Sequence, residues 1–341
     1  MKTMSQWPTA RGSSGRHWGG GRSAFMAAVL VSELSAAAPV AALPTFELIT
    51  SVADKGASKL VNGHVVKPDD WPALVTAVVG FELVAGEEVP IRCSGALIGP
   101  GVLLTAAHCL DTGGDHPLRT ELSIDLRPKG ARKLTCAASP QYRLATNVGE
   151  VPRVAQDYAL CFYDASDLDP QLLPPYEIVD VASKFEAQDR IVLTGWGCRT
   201  LTYTDGRWVA KPLTGNPSLT IADAKITTVP NMAGPFEDRF LSVVSNIVDS
   251  TEEPALCKGD SGGPMIRGVT LAEPKGTRRV AGVNSWVGPY KTSNSKVRSG
   301  IAPLSDGDFQ AFATGWLATW NGAAICGLKD ATSAPATHCR P

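Results

Sequence analysis

ALCKGDSGGPMI, residues 255–266, sets Ser261 between an aspartate and two glycines, with a proline close behind. A surface serine needs no such company. A serine that becomes a nucleophile does. Its hydroxyl is a weak nucleophile at neutral pH and needs a base beside it. The intermediate it forms is an oxyanion, which needs backbone N–H donors aimed at the charge. Glycines let the backbone turn and approach a substrate without a Cβ clash. Ser261 is therefore the candidate nucleophile. Two further groups must come from elsewhere in the chain: a base, and a group to orient it.

The expected base is a histidine, whose pKa lies near working pH. Of the five, His17 lies near the N-terminus, His338 in the C-terminal tail, and His64 and His116 in polar, loop-like surroundings. His108 closes GVLLTAAHCL, residues 101–110, just after an apolar run, with Cys109 beside it to pin it. A base at the end of a rigid strand is held in one orientation. The histidine in turn needs a buried carboxylate to fix its tautomer and stabilise its charged form. Asp157 opens DYALCFYD, residues 157–164. A carboxylate leading straight into an apolar run needs a partner.

Short segments rich in Val, Ile, Leu and Thr recur along the chain, among them ALVTAVVGFELV (73–84), GALIGPGVLLTA (95–106), RIVLTGWG (190–197) and RVAGVNSW (279–286). Gly, Pro, Asp and Asn punctuate them, a pattern of antiparallel sheets or barrels. One helix is expected near the end, where Phe309, Phe312, Trp316, Leu317 and Trp320 fall at helical spacing. Ser305 or Asp306 is placed to cap it and Gly322 to stop it.

TAAHC (105–109), DYAL (157–160) and GDSGGP (259–264), in that order, resemble the chymotrypsin-like (trypsin-fold) serine proteases, over about residues 60–320. The resemblance implies an all-β chain of two six-stranded antiparallel β-barrels with a C-terminal helix, the site lying in the cleft between the barrels. Carried over residue by residue, Ser261 is the nucleophile, His108 the general base and Asp157 the orienting carboxylate. The N–H groups of Gly259 and Ser261 form the oxyanion hole. Ser285 and Trp286 pair with the substrate backbone as an added strand. Lys59 followed by Leu60-Val61-Asn62-Gly63 resembles the family's activation site. Cleavage there by a trypsin-like protease would free the Leu60 amine to pair with Asp260 and order the oxyanion loop.

The same resemblance puts Ala255 at the floor of the specificity pocket, with Leu256 beside it and Val287 and Gly300 at its walls. Ala255 cannot hold a basic side chain as the aspartate of trypsins does. A shallow apolar pocket and cleavage after small or medium apolar residues are expected. Glu252 and Glu253 lie close in sequence and leave basic specificity open as an alternative, as does a binding-only protein on the same fold. The eight cysteines suggest disulfides. Cys93–Cys109 follows the family pattern. The family's usual partner for Cys257 has no counterpart between Trp286 and Gly300. Cys198, which should lie near the oxyanion loop, is the candidate partner; Cys136–Cys161 would then join neighbouring strands of the first barrel, and Cys326–Cys339 would close the tail.

The net charge of −1 supplies no field to draw the chain to nucleic acid or an acidic membrane. Two basic runs, RPKGARK (127–133) and PKGTRR (274–279), read as solvated loops. Arg11, Arg16 and Arg22, the apolar AFMAAVLV (24–31) and the small residues Val40-Ala41-Ala42 read as a signal peptide over 1–42, interrupted too early to span a bilayer. An activation propeptide (43–59), the protease domain (60–320) and a tail (321–341) would follow. The expected product is a secreted monomer without cofactor or metal; Asp111 and Asp115 read as a polar turn. Its partners would be protein or peptide substrates and an activating protease.

Overall fold

Runs such as VLLT (102–105) and RIVLTG (190–195) are apolar at successive positions because both faces of these strands are covered. Side chains alternate across a strand. Leu103 therefore points into one core while Val102 and Leu104 point into another; Ile191 and Leu193 are likewise separated from Val192.

The structure, a computed structural model, describes residues 45–47, 60–328 and 339, apart from 68–69, 85–86, 112–117, 119, 126–130, 143–154, 167–174, 199, 205–206, 211–217, 232–235, 274–275 and 292. The expected signal peptide, Lys59 and nearly all of the propeptide lie outside the described residues, as do Asp115 and His116.

The strands are β1 (Thr45–Glu47), β2 (His64–Val65), β3 (Leu74–Val84), β4 (Glu87–Gly99), β5 (Val102–Thr105), β6 (Glu121–Asp125), β7 (Ala131–Ala138) and β8 (Ala159–Phe162). They continue as β9 (Ile178–Val179), β10 (Arg190–Gly195), β11 (Leu201–Thr204), β12 (Arg207–Ala210) and β13 (Thr220–Lys225). Then come β14 (Leu241–Asn246), β15 (Pro264–Arg267), β16 (Arg279–Pro289) and β17 (Lys296–Pro303), and helix α1 (Asp308–Leu317).

The expected two-barrel, all-β fold is present. The first barrel runs β3-β4-β5-β8-β7-β6, antiparallel throughout, with β1 laid parallel on β6. The second runs β14-β17-β16-β15-β10-β13, with β2 beyond β13 and β9 parallel on β16. A Thr228–Ser242 bridge joins its two ends. One apolar cluster fills each barrel, and a third, containing Trp71, Ile98, Tyr158, Val192, Trp196, Ile266 and Phe309, lies between them.

Helix α1 seals that third cluster. Gly307 holds its first turn, and the Asp306 carboxylate accepts the N–H groups of Asp308 and Phe309, both at 3.1 Å. The helix ends at Leu317, so Trp320 lies beyond it and Gly322 is not its stop. Phe309 meets Tyr158 edge-on at 5.2 Å, and Gln156 Nε2 donates to Asp308 at 2.9 Å. The two neighbours of Asp157 are thus held by the start of α1.

All four disulfides form in the expected pairs: Cys93–Cys109, Cys136–Cys161, Cys198–Cys257 and Cys326–Cys339. Residues after α1 do not simply trail off. Cys326 donates its N–H to Ile98 and accepts one from Val179, both at 2.8 Å, inserting between β4 and β9.

A second expectation is corrected. Arg278, in the basic run PKGTRR, is buried rather than solvated. It pairs with Glu177 at 2.9 Å, donates to the Asp70 carbonyl at 2.7 Å and stacks over Trp71 at 3.9 Å. A buried charge persists only with such partners. The cation ties the second barrel to the first. The run RPKGARK lies mostly outside the described residues.

Candidate active site

The register of β5 on β8 brings two of the expected residues together. Thr105 at the end of β5 faces Ala159 at the start of β8. The chain beyond Thr105 turns through a 3-10 segment, Ala107–Leu110, that carries His108. The chain just before Ala159 carries Asp157. Asp157 is fully buried. One of its oxygens accepts the His108 backbone N–H at 2.9 Å, and the other meets His108 Nδ1 at 2.7 Å. The Ser285 hydroxyl donates to that second oxygen at 2.5 Å. A proton on Nδ1 leaves Nε2 as an acceptor facing the cleft, the tautomer a general base requires. Burial works against the charged imidazole. The Asp157 charge and hydrogen bond, together with Asp111, outweigh it and raise the His108 pKa above its usual value. Burial, then the charges of Asp157 and Asp111, raise the Tyr142 pKa, so this phenol stays neutral beside the carboxylates.

Ser261 arrives from the second barrel. Its carbonyl accepts the Ser94 N–H at 2.7 Å. Gly262 has φ +84°, and a Cβ there would collide with the Ser94 carbonyl and the Thr105 hydroxyl. The serine turn therefore rests against the end of β5, three residues before His108. Ser261 Oγ and His108 Nε2 share no hydrogen bond here; such bonds in free enzymes are often long and tighten with substrate.

Gly259 has φ +103°. Among the described residues, neither its N–H nor that of Ser261 has an acceptor. Buried N–H groups are nearly always paired, so the unpaired N–H of buried Gly259, beside that of half-buried Ser261, makes this turn a candidate site for an acceptor.

Asp260 is fully buried behind this turn. Its oxygens accept the N–H groups of Gly197 at 2.6 Å and Cys257 at 2.7 Å. Burial pushes its pKa well up, against those two hydrogen bonds. Gly195 and Gly197 exist as glycines for this carboxylate: a Cβ on either would lie closer than 3.0 Å to it. Leu60 is buried in the second barrel, and Val61 bridges to Ala255.

Residues 60–307 match the family described as Trypsin. The chain belongs to the trypsin family. It is 25% identical over 243 residues to vitamin K-dependent protein C of Rattus norvegicus, covering 67% of this chain and 46% of that protein. It is 24% identical over 251 residues to vitamin K-dependent protein C of Mus musculus, with the same coverage of 67% and 46%. It is also 28% identical over 189 residues to granzyme M of Homo sapiens, covering 52% of this chain and 64% of that one. The chain spans less than half the length of the two protein C sequences.

Within this trypsin-family frame the residues expected at the pocket gather as follows. Ala255 and Leu256 are buried. Leu256 packs with Leu60, Met265 and Ile301, and Val287 lies against that cluster. Trp286 faces Gly300 across the β16–β17 pair, and its indole fills the space a Gly300 side chain would take. Glu252 and Glu253 line a separate cavity of about 670 Å³ with Gln188, Arg190, Asp223 and Lys225. Glu253 accepts the Asn246 N–H at 2.6 Å. That bond holds one Glu253 carboxylate oxygen at the end of β14.

Cys93, His108 and Cys109 cluster closely enough for a metal, but the two sulfurs are bonded to each other and only the imidazole could ligate. No helix among the described residues is long and apolar enough to cross a membrane. Three contributors escaped the sequence reading. Gly195 and Gly197 were legible only as a turn after a strand, and Ser94 gave no signal at all.

Proposed function

We propose that this protein is a secreted serine endopeptidase, made as a zymogen, that cleaves after small or medium apolar residues. The observation that carries the reading is His108, held through Nδ1 by a fully buried Asp157 and lying beside the Ser261 turn. Ser261 Oγ attacks the peptide carbonyl carbon while its proton passes to His108 Nε2. The carbonyl oxygen becomes an oxyanion and is received by the Gly259 and Ser261 N–H groups. Collapse breaks the C–N bond, and the imidazolium returns its proton to the leaving amine. An acyl group remains on Ser261. Water, activated by His108, repeats the addition and collapse to release the acid and restore the serine. Each oxyanion donor contributes on the order of 10²–10³ in rate.

The apolar preference rests on Ala255, Leu256 and Val287, and on the engagement of Glu253 elsewhere. The zymogen reading rests on Asp260. Among the described residues no cationic side chain pairs with this buried carboxylate. A Leu60 amine freed by cleavage after Lys59 would supply that charge. Export is supported by the leader-like N-terminal sequence and the four disulfides.

The test is fluorophosphonate labelling of protein cleaved after Lys59, read by intact mass beside Ser261→Ala. One adduct, absent from the mutant and from uncut chain, is expected. A folded, correctly cleaved protein that takes no adduct would instead be a peptide-binding member of the family. A panel of Ala, Val and Arg substrates then decides specificity; turnover of Arg alone overturns the apolar pocket.

A further inference from the structure

Ser94 belongs to β4 of the first barrel and is 1% exposed. It makes two bonds across the cleft to the serine turn. Its N–H donates to the Ser261 carbonyl at 2.7 Å, and its hydroxyl donates to the Gly259 carbonyl at 2.9 Å. We infer that Ser94 is a positioning residue for the oxyanion hole, its hydroxyl fixing the direction of the Gly259 N–H. The inference rests on the reading of Ser261 as nucleophile.

The geometry is as follows. Two peptide planes meet at Gly259. The preceding one carries the Gly259 N–H, and its Lys258 carbonyl accepts the Cys198 N–H at 2.8 Å. The following one carries the Gly259 carbonyl, held by Ser94, and the Asp260 N–H, which donates to the Cys257 carbonyl at 3.0 Å. Gly259 sits at φ +103°, where glycine has no side chain to restrict it. Its torsions are therefore set by what grips the planes on either side. Cys198 grips one from the second barrel; the other is gripped at one edge by Ser94 from the first barrel and at the opposite edge by the Cys257 carbonyl. Gly259 is buried, so a carbonyl stripped of Ser94 has lost its partner away from water. Held then by the Asp260 N–H alone, the following plane tilts toward another donor, and the Gly259 torsions relax with it, loosening the aim of the Gly259 N–H. Ser94 also couples the packing of the barrels to the hole, since one residue spans both.

The experiment uses the full chain cleaved after Lys59. Wild type must first take the fluorophosphonate at Ser261; if it does not, the protease reading fails and this inference with it. With that in hand, Ser94→Ala should lower kcat on an Ala or Val peptide amide about tenfold, with KM little changed, as expected for loosening rather than deleting one donor. A peptide aldehyde, whose adduct places an oxyanion in the hole, should bind about tenfold more weakly. The matching peptide alcohol, which forms no adduct, should bind as before. Ser94→Thr keeps the hydroxyl and should restore most of kcat; Ser94→Gly removes it and should fall with Ser94→Ala. A hydroxyl-free variant with wild-type kcat overturns the inference. So does weaker alcohol binding in proportion to the aldehyde, which marks general collapse of the cleft.

Discussion

Gly195→Ala tests how the serine turn is built. Gly195 closes β10, and a Cβ there would lie closer than 3.0 Å to both the Oδ1 and Cγ atoms of Asp260. β10 is paired with β13 on one side and β15 on the other, so its backbone cannot retreat. The carboxylate must move instead, and it holds the N–H groups of Gly197 and Cys257. In protein cleaved after Lys59, where the proposed Leu60 amine keeps Asp260 charged, hydrogen bonds to a charged group are worth about 1.5–3 kcal/mol each, so losing both costs about 3–6 kcal/mol. That is a large share of a typical folding stability of about 5–15 kcal/mol. The urea midpoint should fall accordingly, and fluorophosphonate labelling should fall further, because Cys257 leads directly into the oxyanion turn. The control is Gly195→Ala in an Asp260→Ala background, where most of the added cost should vanish. The same cost in both backgrounds would place the strain elsewhere. A Gly195→Ala protein with native stability and native labelling would refute the claim that Asp260 orders the turn.

Three further outcomes are expected. A base must be neutral to act, so kcat/KM should fall as pH drops through the His108 pKa, which lies above its ordinary 6.5: burial lowers it, but Asp157 and Asp111 raise it further. A pH–rate profile with its acid limb below 6.5 would contradict this, and Asp111→Asn should move the limb toward acid. Arg278→Met leaves Glu177 buried without its cation and should cost about 3–5 kcal/mol by chemical denaturation, part of it regained when Glu177→Gln is added. Val287→Gly should open the pocket and shift relative kcat/KM from Ala toward Leu and Phe substrates by roughly 10–200-fold per methylene-sized step accommodated; an unchanged ranking would remove Val287 from the pocket.

The parts of this molecule that could be read from sequence are those in which one short stretch carries its own reason. GDSGGP packs donors, glycines and a serine into six residues, and TAAHC places a base at a strand end beside a cysteine. The helix was legible for the same reason, since its apolar positions repeat locally. Its end was not. Trp320 keeps the helical spacing yet packs against Phe162 at 4.5 Å from outside α1, because tertiary stacking, not periodicity, places it. Arg278 was misread because charge in a Gly- and Pro-containing run usually means solvent. Its partners, Glu177 and Trp71, stand 101 and 207 residues away, and only the packing of the two barrels joins them. Ser94 was invisible on the same grounds. Its meaning lies in the Gly259 carbonyl, 165 residues on, and nothing beside it announces that contact.

The disulfide at Cys257 decides where this site is stiff. It runs to Cys198, just past the GWG stretch that houses Asp260, and so binds the oxyanion turn to the end of β10. The pocket's far wall, β17, receives no such link. It is held instead by ladders on both sides, to β16 and to β14, by Arg298 bonds to Ser242 and Asp238, both at 2.8 Å, and by the Leu256 N–H to the Ser299 hydroxyl at 3.0 Å. A hydrogen bond worth about 1 kcal/mol yields where a covalent link does not. Ala255 is tied to Val61 by an isolated bridge, whereas Val287 and Gly300 lie within continuous ladders. On the proposed reading the covalent link thus falls beside the donors that meet a developing charge, where misplacement by about 1 Å is costly. On the same proposed reading an apolar side chain is received against strand ladders alone, and there a preference graded in steps of about 1–3 kcal/mol per methylene is all that packing can supply.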